Sequence, residues 1–149
     1  MSHYIHEDKI KELEIKANGA PPVFEKYKYN ISKMSELHII EKPITRTELK
    51  KIAEERFGDL VKAAVDIEQG IMAVGGEFHM DEQTALFEEK GSKQQNIWGI
   101  NIYPDDTGEG FIEFDSMINL KPNQGNRTRN IQDRAIREKI TSIVKRLVV

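Results

Sequence analysis

Alternation of apolar and polar residues in the middle of the chain is the feature that most constrains the fold. Apolar side chains recur at every second position over residues 61–67 and again over residues 98–102. A period of two is typical of strands that bury one face of a sheet. The Gln69-Gly70 pair suits a turn that reverses the chain into an apolar return strand over residues 71–78. The middle of the chain therefore predicts an antiparallel sheet.

Two helices flank this sheet in the sequence. Thr45 is placed as an N-cap with Glu48 three residues later, which predicts a helix over residues 46–57 that Gly58 ends. Asp133 is placed to cap a final helix with an apolar stripe at Ile136, Ile140, Ile143, Val144 and Leu147. The prediction is an α+β fold: a mostly antiparallel sheet of about five strands, with two main helices packed on one face. The other face is expected to be polar and solvated, and it carries Lys62, Asp66, Glu68, Asn101, Glu113, Asp115, Asn119 and Lys121.

Residues 82–90 fit two different structures. Asp81 can cap a short helix there, which Gly91 would end as a left-handed residue. The run Ala85-Leu86-Phe87 suits a strand equally well. The sequence therefore does not decide between a helix and a strand for this segment.

The first 33 residues differ from the rest of the chain. Residues 8–17 suit a short helix, but Asn18-Gly19 and Pro21-Pro22 interrupt it. A helix of this length is marginal without tertiary contacts. We expect residues 1–33 to form an N-terminal extension, either weakly ordered or a docking arm, and residues 34–149 to form a single α+β domain.

Composition narrows the class of protein further. The chain has 149 residues, of which 38% are hydrophobic and 32% charged, and it has no cysteine. Disulfides, thiol nucleophiles and thiolate metal sites are therefore excluded. No apolar run is long enough to cross a bilayer, and the first residues do not resemble a secretory signal. We expect a cytoplasmic protein that has no membrane partner and needs no cofactor.

The charges are unevenly distributed along the chain. Residues 34–120 carry 8 Lys and Arg against 18 Asp and Glu, whereas residues 121–149 carry 8 against 2. Such asymmetry indicates either a surface for nucleic acid or two parts of one fold that attract each other. We favour the second, because most of the basic residues lie on the final helix, which must pack on the acidic sheet.

A long strand followed by a loop with two arginines supplies the best candidate site. Residues 110–121 alternate with strand period, and Pro122 then ends the predicted strand. The residues that follow tolerate turn conformations, and guanidinium groups can bind a carboxylate or phosphate through two parallel hydrogen bonds. We call residues 121–129 the arginine loop. Its candidate anion-binding residues are Lys121, Asn123, Gly125, Asn126, Arg127 and Arg129.

Acidic residues and one histidine offer a weaker alternative site. If neighbouring strands bring them together, they can bind a divalent metal, as a metal-dependent hydrolase or nuclease requires. His-x-Asp has no characteristic metal-ligand spacing of its own. The candidates for this metal site are Glu77, His79, Asp81, Glu113 and Asp115.

Four stretches of the chain together resemble a known family. They are residues 70–79 (Gly-Ile-Met-Ala-Val-Gly-Gly-Glu-Phe-His), 91–94 (Gly-Ser-Lys-Gln), 98–104 (Trp-Gly-Ile-Asn-Ile-Tyr-Pro) and 112–127 (Ile-Glu-Phe-Asp-Ser-Met-Ile-Asn-Leu-Lys-Pro-Asn-Gln-Gly-Asn-Arg). The chain is similar over residues 37–149 to an uncharacterised family of short bacterial and archaeal proteins, a domain of unknown function. The resemblance implies one compact domain and supplies no activity, cofactor or catalytic residue.

Three function classes follow from these features. The first is a non-enzymatic binding or interaction module that engages an anionic ligand or a protein partner through the arginine loop. The second is the metal-dependent hydrolase or nuclease. The third is a structural homo-oligomer whose polar face or N-terminal arm makes the interface. No nucleophile elbow or phosphate-binding glycine motif is present, so we favour the binding module.

Overall fold

The structure, a computed structural model that describes residues 37–149, is built on one antiparallel sheet. Its strands are β1 (His38–Ile40), β2 (Val61–Asp66), β3 (Ile71–Val74), β4 (Ile97–Ile102) and β5 (Ile112–Glu113), in the order β1-β3-β2-β4-β5. The helices are α1 (Arg46–Glu54), α2 (His79–Lys90) and α3 (Arg134–Leu147). All four strand pairings are antiparallel, which confirms the predicted α+β fold. The predicted extension over residues 1–33 lies outside the described residues.

Helices α1 and α3 pack together on one face of the sheet, as predicted. Leu49 of α1 and Ile140 and Val144 of α3 are fully buried there, against the inward-facing residues of β2, β3 and β4. Thr45 caps α1 by accepting a hydrogen bond from the Glu48 N–H at 3.0 Å. The Asp133 carboxylate caps α3 by accepting from the next turn. Local capping and the apolar stripes therefore fix both helices as the sequence indicates.

The opposite face of the sheet is covered by α2, so the expectation of a solvated face is wrong. Leu86 of α2 and Ile118 pack against Ala64, Ala73 and Ile97 on that face. The polar residues assigned to solvent that are in fact buried are Asp66, Asn101, Asn119 and Lys121. Each of these buried groups therefore requires a hydrogen-bond partner inside the protein.

Asp66 shows how such a group is satisfied. Its carboxylate accepts hydrogen bonds from the N–H groups of Glu68 and Gln69 at 2.9 and 3.1 Å. It also accepts from Gln69 Nε2 at 2.9 Å and from the hydroxyl of Ser92 at 2.6 Å. One acid thus shapes the four-residue turn between β2 and β3 and ties it to the segment after α2.

Residues 79–90 are helical, which settles the choice between helix and strand. The helix begins at His79, so the expectation that Asp81 is its N-cap is wrong. The Asp81 carboxylate instead accepts from the N–H of Phe78, the residue before the first turn, at 3.1 Å. Gly91 ends the helix with a φ of 63°, as predicted. The outer side of α2 carries exposed apolar side chains at Phe78, Met80 and Phe87.

The predicted long strand over residues 110–121 is also wrong. Only Ile112–Glu113 pair with β4, and a 3-10 turn follows at Met117–Asn119. Ser116 caps this turn through its hydroxyl, which accepts from the Ile118 N–H at 3.3 Å. Side-chain alternation also assigned Ile112, Phe114 and Ile118 to one face, whereas Ile112 and Phe114 pack against the main core and Ile118 packs on the face covered by α2.

Asn119 takes the place of the missing strand beside β4. Its Oδ1 accepts from the Gly99 N–H at 2.7 Å, and its Nδ2 donates to the Gly99 carbonyl at 2.9 Å. Nδ2 also donates to the Arg129 carbonyl at 2.9 Å. A Cβ atom at position 99 would lie 2.5 Å from the Ser116 side chain, so only glycine permits this approach. The side-chain amide therefore satisfies both backbone groups of Gly99, as a neighbouring strand would.

We predict that Asn119→Ala destabilises the protein by about 2 to 4 kcal/mol, because two buried backbone groups of Gly99 and the partly buried Arg129 carbonyl lose this partner. Asn119→Asp keeps an acceptor for the Gly99 N–H but places a carboxylate oxygen against two carbonyls, so it is also expected to be unstable. The exposed Asn123→Ala is the matched control and should change stability by less than about 0.5 kcal/mol. Urea unfolding measures all three variants, and a stable Asn119→Ala protein would contradict the assignment.

Candidate functional site

The arginine loop is held from inside by a second buried amide. Asn126 Nδ2 donates to the carbonyls of Asn119, Thr128 and Asn130 at 2.7, 3.1 and 2.7 Å. Its Oδ1 accepts from the Gln132 N–H at 2.9 Å. This one side chain therefore connects both ends of the loop, and the sequence analysis, which placed Asn126 among ligand-binding residues, did not foresee that role.

Lys121 supports the loop from within the protein. Its side chain is buried, with Nζ donating to the Gln94 carbonyl at 2.8 Å and lying 5.2 Å from the centre of the Trp98 ring. Burial lowers the pKa of Lys121 from its usual value. Its backbone N–H and carbonyl pair with those of Asn126 at 2.9 and 3.1 Å. Lys121 thus anchors the base of the loop and does not face solvent.

The two arginines of the loop lie on the surface. Arg127 is exposed, and among residues 37–149 its guanidinium pairs with no acid. Arg129 Nε donates to Asp115 Oδ1 at 2.7 Å, with the two side chains 56% and 45% exposed. Neither guanidinium is enclosed by the protein, so both are accessible to a ligand.

His79, from the predicted metal set, is buried at the start of α2. Its Nε2 lies 2.8 Å from the Ile100 carbonyl, and because a carbonyl only accepts, Nε2 carries the proton. Burial lowers the pKa of His79, although the Ile100 hydrogen bond opposes that shift. Lys62 also lowers this pKa and Asp115 raises it, so both charges act on the ring.

The predicted acids Glu113 of β5 and Asp115, two residues further on, both accept hydrogen bonds from neighbouring side chains. Glu113 lies opposite Asn101 in the β4–β5 register and accepts from its Nδ2 at 2.8 Å. The hydroxyl of Tyr103 donates to the same Glu113 oxygen at 3.4 Å. Asp115 accepts from Arg129, so the arginine loop and the acidic group meet at this pair.

The other two candidate ligands do not join this group. Glu77 is exposed, with its carboxylate 4.0 Å from the Arg56 guanidinium. The Asp81 carboxylate accepts a hydrogen bond from the Phe78 N–H. Within residues 37–149, no group of three or more His, Asp and Glu side chains is arranged to hold a metal ion. The structure therefore gathers part of the predicted set around Asp115 without forming a ligand cage.

Glu82, which the sequence analysis did not select, is the most deeply buried acid at this end of α2. Its Oε1 accepts from the Gly76 N–H at 2.9 Å, and among the described residues no group donates to Oε2. A Cβ at position 76 would lie 2.9 Å from Glu82 Oε1, so glycine leaves room for the carboxyl group. Burial raises the pKa of Glu82 well above 4.5. The signal in the sequence that predicts such a close approach is the Gly75-Gly76 pair within the predicted return strand.

These features define a small α+β domain whose sheet presents a fixed basic loop at one edge. Between residues 37 and 149 no helix has the length and apolarity needed to span a bilayer. The family model DUF5674, described as a protein of unknown function, matches residues 38–147. The chain therefore belongs to this family, which confirms the resemblance found in the sequence. No curated protein and no solved structure matches the chain.

We predict that the buried Glu82 makes stability depend on pH. Because its pKa is raised in the folded state, the stability it contributes is complete below about pH 4.5 and is lost as the pH rises through the folded-state pKa. The free energy of unfolding of Glu82→Gln, relative to that of wild type, should therefore rise by up to about 1.4 kcal/mol for each pH unit above pH 4.5. Urea unfolding at a series of pH values measures the difference.

The matched control for this experiment is Glu89→Gln, which neutralises an exposed acid of the same helix. Its stability should follow the wild-type pH profile closely. A Glu82→Gln profile that runs parallel to wild type from pH 4 to pH 8 would show that the pKa of Glu82 is not raised in the folded protein.

Proposed function

We propose that the protein is a non-enzymatic binding module that engages an anionic group through its arginine loop. The observation that carries this proposal is the placement of Arg127, an exposed guanidinium without an acid partner among the described residues, on a loop fixed by Asn126. Lys121 and Asn126 act in support of the loop. Arg127, Arg129, Asn123 and Gly125 form the proposed contact surface.

Rigidity of the loop favours binding. A flexible loop loses conformational freedom when it closes on a ligand, and that loss weakens affinity. Here the buried amide of Asn126 orders residues on both sides of Arg127 before any ligand arrives. The guanidinium is then the main group that still has to be ordered.

Arg129 adds a second, conditional contact. Its pair with Asp115 is about half exposed, and exposed pairs of this kind contribute only about 0 to 1 kcal/mol. A ligand carboxylate or phosphate can therefore replace Asp115 at little cost. Asp115 lies close enough to raise the pKa of His79. Replacing Asp115 by a ligand anion at Arg129 would therefore also affect the pKa of the His79 ring.

A metal-dependent hydrolase has less support from the geometry. Glu113 and Asp115 are engaged by Asn101 and Arg129, and the buried His79 uses Nε2 on a backbone carbonyl. Nucleic acid is also less favoured as the ligand than a small anion or an acidic protein segment. One basic residue of α3 is already engaged by the protein, since Arg146 donates to the Gly70 carbonyl.

We predict that Arg127→Ala combined with Arg129→Ala weakens anion binding about tenfold, since two exposed charged contacts are removed. Binding is measured by titrating citrate and inorganic phosphate into ¹⁵N-labelled protein and following the amides of residues 123–129. The melting temperature should change little, because neither side chain is buried.

The matched control is Arg137→Ala combined with Lys139→Ala, which removes the same charge from α3. It should bind both anions as the wild type does. Equal affinity in the loop variant and the control would end the proposal, as would shifts that occur only outside residues 121–130.

A further inference from the structure

A cleft separate from the arginine loop lies between the start of α1, the loop after β4 and the second half of α3. Its volume is about 450 Å³, which is within the range of small-molecule sites. Arg46, Thr107 and Glu109 line one side, and Thr141 and Lys145 line the other.

Arg46 is positioned in this cleft, and among residues 37–149 its guanidinium pairs with no acid. Its Nη1 donates to the carbonyls of Pro104 and Asp106 at 3.2 and 3.1 Å. The guanidinium carbon lies 4.1 Å from the centre of the Phe111 ring, a cation–π contact. These neutral contacts orient the guanidinium and leave its positive charge uncompensated.

The side chains that line the cleft carry a net charge of +1. Arg46 and Lys145 are cationic, whereas Glu109 is the one acid among the lining residues. Lys145 is exposed and pairs with no acid among the described residues. A ligand with one negative charge would therefore neutralise the net charge of the lining. A second negative charge on the ligand would be repelled by Glu109.

The inner wall of the cleft is apolar. Phe111 is buried in the main core, and Ile112 and Phe114 are partly buried against it. A ligand that fills the cleft would cover the remaining exposed surface of these side chains. The wall therefore suits a flat or branched hydrocarbon group, which aromatic side chains contact favourably.

From these features we infer that the cleft binds a small aromatic monocarboxylate, with its ring on Ile112 and Phe114 and its carboxylate between Arg46 and Lys145. The cleft is open to solvent on one side, so the affinity is weak. The cleft is separate from the arginine loop, so an experiment that contradicts one of the two proposals leaves the other standing.

The test uses the full chain and two matched probes, 3-phenylpropionate and its uncharged amide, titrated at millimolar concentration into ¹⁵N-labelled protein. The acid should shift amides of residues 107–114 and 141–145 and bind at least about fivefold more tightly than the amide, as an exposed charge pair allows. Lys145→Ala should remove most of that preference.

Two control variants separate the cleft from other cationic surfaces. Lys139→Ala, on the same helix outside the cleft, and Arg127→Ala combined with Arg129→Ala should both retain the acid preference. Equal binding of acid and amide, absence of shifts in the cleft, or loss of the preference in either control would overturn the inference. Loss confined to Lys145→Ala would support it.

Discussion

The hydrogen bonds between the side-chain amide of Asn119 and the backbone of Gly99 determine how the C-terminal third of the chain meets the sheet. An exposed edge on β4 would leave polar backbone groups unpaired beneath the covering layer. Asn119 supplies a donor and an acceptor in the geometry of a peptide group, so β4 is satisfied where β5 has already ended. The chain is then free to turn at Met117–Asn119 and lead into the arginine loop.

A second amide extends this arrangement to the surface. Asn126 binds the carbonyl of Asn119, so the group that satisfies β4 and the group that fixes the loop are directly connected. Arg129 is connected to the same network through its carbonyl, which accepts from Asn119. The backbone positions of Arg127 and Arg129 are thus determined by these hydrogen bonds, while their guanidinium groups remain exposed. Buried polar networks of this kind favour one specific arrangement when every member is satisfied.

The sequence predicted the parts of the fold that depend on local signals. Period-two alternation identified β2 and β4, and capping residues identified α1 and α3, because those elements have one apolar face and defined ends. The same reasoning failed for residues 110–121, where Phe114 and Ile118 are spaced as in a strand, although the Gly99 backbone in β4 pairs with the side chain of Asn119. It also failed for the face under α2, because Leu86 and Phe87 give that helix apolar residues on both sides. The candidate site was foreseen in part: the turn residues indicated the loop and its exposed arginines, whereas the burial of Lys121 and Asn126 depends on contacts distant in sequence.

Amide hydrogen exchange at Gly99 tests the central claim most directly. In the structure this N–H donates to Oδ1 of Asn119, which lies 20 positions further along the chain. The account predicts that the Gly99 amide exchanges as slowly as its neighbours in β4 and that the side-chain amide protons of Asn119 are protected with it. Rapid exchange at Gly99, while Trp98 and Ile100 remain protected, would show that the edge of β4 is open and that Asn119 does not replace a strand.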